Sequence, residues 1–131
     1  MFSFVHDIDA HVLRISVEGF WSPDDVPALA AALGSAARRA NAIRDDFDVI
    51  VESFDFPLQA DDVADLLADV MRVGMALTSG RAAVVVGSLA NKEQVERTLV
   101  HPNLRAFMAM EEAEAWLAES RAIGRAITGE S

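Results

Sequence analysis

The sequence predicts a single α/β domain: a mostly parallel mixed sheet of about five strands with four helices, the first strand an antiparallel edge. Three observations carry this. Val49, Ile50 and Val51, and then "AAVVVG" from residue 82, are unbroken apolar runs, the pattern of strands covered on both faces. From residue 22 onward, segments with helical periodicity separate successive strands, which implies parallel pairing through right-handed crossovers. The opening "FSFVHDIDAHVLRISVEG" instead reads as a hairpin, two strands around an Asp-rich turn. At 131 residues, 52% hydrophobic and 24% charged, the chain suits one core.

The elements follow in order. In the second strand, Leu13, Ile15, Val17 and Gly19 share one face, while Arg14, Ser16 and Glu18 share the other. "SPDD" starts the first helix. Ser22 suits the N-cap, Pro23 the first helical position, and Asp24 and Asp25 the positive end of the helix dipole. Val26, Leu29, Ala30, Leu33 and Ala37 form its buried stripe. "FDVIVES" is the third strand. A long helix then runs from about Asp61 to Thr78, with Val63, Leu66, Leu67, Val70, Gly74 and Leu77 on one side. Gly80 is expected to stop it in a left-handed conformation. "AAVVVG" is the fourth strand, "NKEQVERTLV" a short helix broken by "HPN", "LRAF" a fifth strand, and "EEAEAWLAESRAIGRAI" a terminal helix.

This order, with "VEGFWSPDDV" after the second strand and "LRAFMAMEEAEAWL" near the end, resembles the SpoIIAA-like branch of the STAS domains (sulphate transporter and anti-sigma-factor antagonist). The likeness covers about residues 2 to 118. Phe107, Ala113, Trp116 and Leu117 are its most suggestive positions. The resemblance implies a β-α stack with strands largely in chain order and helices gathered on one face. The solid runs of the third and fourth strands then ask for cover on the other face, with another subunit one source of it.

The resemblance also directs attention to "SFDFPLQADD", residues 53 to 62, where a strand turns into the long helix. In phosphorylated STAS antagonists that helix begins with an Asp-Ser-Ser/Thr-Gly type motif, and phosphate on the hydroxyl breaks the complex with an anti-sigma factor. Here Asp61 or Asp62 falls near the acceptor position, and neither carries a hydroxyl. Two readings stand: aspartates that cap free N–H groups and meet the helix dipole, and aspartates that mimic a permanently phosphorylated state. Ser53 precedes the turn and is not expected to be an acceptor. With no glycine or lysine, the turn is not a phosphate cradle.

A second candidate is apolar. Val70, Met71, Val73, Met75 and Leu77 spread around most of the circumference of the long helix, where a surface helix shows one stripe. Three readings cover the excess: a helix sandwiched inside its own fold, a dimer contact, or a pocket for a small apolar, acyl-like ligand, to which methionines adapt well. Phe20 and Trp21 lie at the mouth of the second strand. Trp21 either lids such a pocket or staples onto the first helix. Trp116 is expected in the core. Residues 119 to 131, with Ile123 and Ile127, form a helical extension that frays, folds back or clasps a second subunit.

Other chemistry finds little support. His6, Asp7, Asp9 and His11 share one hairpin, but a single polar hairpin rarely closes a metal shell, so no metal is expected. His101 precedes Pro102 without an acid or nucleophile beside it in sequence. No catalytic residue and no cofactor is assigned. A formal net charge of −10, with one lysine, argues against nucleic acid and anionic lipid. No apolar run approaches the roughly 20 residues that span a membrane. The start "MFSFVHDID" lacks the features of a signal peptide, and cysteine is absent, so a cytoplasmic protein is expected. The expected function is a non-enzymatic STAS-like interaction or regulatory module, a homodimer with a protein partner. The alternative is a carrier or sensor of a small apolar ligand.

Overall fold

One row of side chains crosses the sheet through four strands: Leu13, Val49, Ala82 and Leu104 pair in register. The row belongs to β2 (Val12–Val17), β3 (Asp48–Ser53), β4 (Ala82–Val86) and β5 (Leu104–Phe107), all parallel. β1 (Phe2–Asp7) lies antiparallel against β2 at the edge, so the spatial order β1-β2-β3-β4-β5 is the chain order. The computed structural model describes residues 1–128, with side chains through residue 119.

Alternation divides the strands between two apolar clusters. Leu13, Ile15, Val17, Val49 and Ala82 face α1 (Val26–Ile43) and α2 (Asp61–Met75). A short α3 (Leu89–Thr98) sits beside α2 on the same face. Val12, Ile50, Ala83 and Val85 face the other way and pack on Ala113 and Leu117 of α4 (Met110–Thr128). The second cover of β3 and β4 therefore comes from this chain's own last helix. Three helices lie on one face and one on the other, where the resemblance implied a single helical face. Small Ala83 and Ala113, both fully buried, let α4 approach closely. Trp116 is half-buried beside Phe107, with the guanidinium carbons of Arg81 and Arg105 4.7 and 5.6 Å from its ring. The expectations for Ile123 and Ile127 lie outside the described side chains.

Two helix boundaries differ from the sequence expectation. "PDD" forms a 3-10 turn, Pro23–Asp25, before α1 begins at Val26. The Ser22 N–H donates to the Asp25 carboxylate at 2.8 Å, which closes that turn. α2 ends at Met75, not Thr78. The Leu77 and Thr78 N–H groups turn back onto the Gly74 and Met75 carbonyls, and the Thr78 hydroxyl donates to the Phe47 carbonyl at 2.5 Å. Gly80 is not left-handed: among the described residues, positive φ occurs at His11 and Gly19. Gly80 is needed for close approach instead. A Cβ there would sit 2.2 Å from the Phe47 carbonyl oxygen and 2.7 Å from Asp48 Oδ1.

Gly80→Ala must push β3 and β4 apart at their start, and we expect it to destabilise the fold by about 3 kcal/mol. Urea unfolding checks this. A change below about 1 kcal/mol would show that the backbone yields there at little cost.

Candidate functional site

The segment between β3 and α2, residues 54–60, lies where the parallel strands end and the helices begin, the end at which open α/β folds place their sites. Its backbone is held by neighbours on both sides. The Gly19 N–H donates to the Asp55 carbonyl at 3.0 Å, and the Asn91 side chain donates to the Phe56 carbonyl. The Ser53 hydroxyl, buried, donates to the Val85 carbonyl at 2.6 Å and ties the end of β3 to β4. At Gly87 a Cβ would come within 2.6 Å of the Phe54 carbonyl oxygen, so the loop after β4 also presses on this segment.

Gln59 joins these contacts. Its side chain is buried, and its Oε1 accepts the Trp21 N–H at 2.8 Å. Its Nε2 donates to the Pro57 and Gly19 carbonyls at 2.7 and 3.2 Å. Its backbone exchanges two bonds with the Gln94 side chain on α3, at 3.0 and 3.3 Å. Trp21 is buried between Phe56 and Phe2, with ring centroids 5.5 and 6.0 Å away, and its indole N–H donates to the Glu18 carbonyl. Three loops are thus locked into one surface without regular structure of their own.

That base turns large apolar side chains outward. Phe20 is 67% exposed, and Phe54, Leu58 and Leu89 are also exposed at this end. Asp24, Asp25, Asp55, Asp61, Asp62 and Asp65 stand exposed around them. Arg44, Arg72, Arg81 and Arg97 lie at the opposite end, where the helices finish and the strands begin. The loop end therefore joins exposed apolar side chains to aspartates, while the arginine-bearing end is mixed in charge, with Arg44 paired to Asp46 and Arg72 to Asp69. An apolar cluster rimmed by charge is the usual composition of a recognition surface.

Asp61 and Asp62 occupy the first turn of α2 behind Ala60, an N-cap with no side-chain bond. The Asp62 carboxylate accepts the Val63 N–H at 2.8 Å, which satisfies one free amide of the helix start. The apolar residues singled out in the sequence do not form one surface. Trp21 and Met75 are buried in the main core, and Leu77 packs on it half-buried. Val70 and Met71 line a partly open apolar pocket. Phe20 and Val73 are exposed but belong to different elements. Phe54, Leu58 and Gln59 were missed. Phe54, Phe56 and Leu58 alternate in a loop beside Pro57, an unusual apolar density that was itself a signal. Nothing in one sequence reveals the reach of Gln59.

The histidines are engaged elsewhere. His6 Nε2 and His11 Nδ1 lie 3.3 Å apart across the hairpin, and His11 Nε2 is 3.0 Å from the Arg44 carbonyl oxygen. Among the described residues no three His, Cys, Asp or Glu side chains group as metal ligands. His101 accepts the Asn103 N–H through Nδ1 at the arginine-bearing end, across the sheet from Asp61 and Asp62.

Gln59→Ala strands the Trp21 N–H and two carbonyls, so we expect a loss of about 3 kcal/mol. Faster hydrogen exchange should accompany it at Gly19, Trp21 and Gln94. Exchange confined to residues near 59 would contradict the network.

No family model and no curated protein matches the sequence. Among solved structures the chain is similar to the crystal structure of an anti-sigma factor antagonist from Mycobacterium paratuberculosis. The overlap has a TM-score of 0.61 at 13% identity and covers 90% of this chain and 95% of that one. Likeness at such identity speaks for architecture. With five strands in chain order, an antiparallel first edge and four helices, this chain has the fold of the SpoIIAA-like STAS domains.

Proposed function

We propose that the protein is a non-enzymatic STAS-like interaction module that grips a protein partner with the loop end of its sheet. The observation that carries this is the set of exposed Phe20, Phe54 and Leu58, ringed by aspartates on a base fixed by Gln59. An anti-sigma factor antagonist of the same fold supports it. The charge pattern favours a partner that offers an apolar anchor within a basic rim. No serine or threonine occurs between residues 54 and 77, and Ser53 is buried and bonded, so recognition would run without a phosphate switch at this turn. Fixed charge at Asp61 and Asp62 takes the place of a variable one. A reaction shared by His101 and these aspartates is disfavoured because they stand at opposite ends of the sheet. No helix among the described residues is long and apolar enough to cross a membrane. A second copy of this chain is one candidate partner for the same face.

Cross-linking mass spectrometry in cells, followed by binding assays with the recovered partner, tests the proposal. Phe54→Ser and Leu58→Ser should each weaken binding at least tenfold with little loss of thermal stability, as central anchors do. A partner bound equally well by both variants would sink it. Asp61→Asn with Asp62→Asn should slow association and flatten its dependence on salt. Sedimentation velocity reads out self-association, which the same two serine variants should abolish if a second copy is the partner.

A further inference from the structure

Behind the recognition loop lies a partly open, mostly apolar pocket of about 90 Å³. The sheet contributes Ile15, Val51 and Val84, α1 contributes Leu29 and Leu33, and α2 contributes Leu67, Val70 and Met71. Five polar side chains also line it, and each bonds to the protein's own backbone. Ser53 donates to Val85, Gln59 to Pro57 and Gly19, Asn91 to Phe56, Gln94 to Gln59, and Thr98 to Gln94. Among the described residues no buried side-chain polar atom lacks a partner. A polar group placed among the aliphatic walls would lose its hydrogen bonds with water and find none in exchange. Water needs two to four polar partners, and the aliphatic walls of the pocket offer it none.

Met71 also borders two smaller voids of about 10 Å³ each, one towards Leu104 and His101, the other towards Phe47 and Val49. An unbranched thioether at the junction of three spaces can swing and merge them, since methionine has three rotatable bonds and a soft surface. A dry engineered cavity of about 150 Å³ takes up benzene or xenon. The space here has similarly apolar walls but is smaller and partly open.

We propose that this cavity is a binding site for a small, wholly non-polar molecule or the terminal hydrocarbon segment of a larger one, with Met71 as its movable wall. Any polar headgroup must stay outside. The pocket shares Gln59 and Asn91 with the base of the partner face but would bind through different side chains, so either proposal can fail alone.

The test uses the full chain with methyl groups labelled for NMR, titrated with xenon, n-pentane and 1-butanol. Xenon and pentane should shift the methyl signals of Leu67, Val70 and Val84 and raise the melting temperature. Butanol, similar in length but with a hydroxyl that the aliphatic walls cannot match, should bind at least tenfold more weakly. Ala64→Leu fills the cavity from α2, and Val84→Leu fills it from the sheet, which covers the case in which one variant does not fold. Each folded filled variant should lose the pentane response, and Met71→Ala should tighten pentane binding severalfold. No pentane shift in the unsubstituted protein, an undiminished response in the filled variants, or butanol binding as tightly as pentane would each overturn the proposal.

Discussion

The amide of a single buried glutamine determines how the loop end of this protein is organised. Gln59 offers one acceptor and two donors, and the structure uses all three on backbone groups that helices and strands leave over. Loop backbone at the edge of a core must find partners or remain in water. By meeting that demand internally, Gln59 allows residues 54–60 to be irregular and fixed together. The apolar side chains above it can then face outward without collapsing inward, and the cavity below keeps its roof.

The fold was readable because local patterns agreed with one another. Alternation in β2, unbroken runs in β3 and β4, and a capped start at Ser22 all pointed to the observed sheet and its order. The misreadings have physical sources. Gly80 reads as a helix stop by residue type, yet it is glycine because Phe47 passes against it, a contact across 33 residues. The far cover of β3 and β4 was sought in another subunit because the resemblance put all helices on one side. The small residues Ala83 and Ala113 that seat α4 there carry no pattern of their own. At the candidate site, the aspartates were visible and the apolar residues beside them were not weighed. A loop is read by its turn residues, and exposure of Phe54 and Leu58 depends on what Gln59 and Trp21 occupy beneath.

The extra methionines of α2 show how one helix can serve two surroundings. Met75 is buried in the core, whereas Met71, one turn earlier, is half-buried and lines the larger pocket. A helical pattern gives the direction of a side chain but not whether the space it enters is filled. This is why the sequence left a sandwiched helix and a pocket both open: periodicity alone does not separate Met75, in the core, from Met71, beside an unfilled space.

Strands laid down in chain order let this sheet grow by accretion, each new unit docking on the last without displacing a pair already made. The face bearing Ile50, Ala83 and Val85 waits for α4, the final element. On the ribosome, most of the molecule can assemble while that face is still bare. Until α4 follows the strands, Ile50, Ala83 and Val85 form an uncovered apolar strip, and weakening the Ala113 and Leu117 contacts would bare it again.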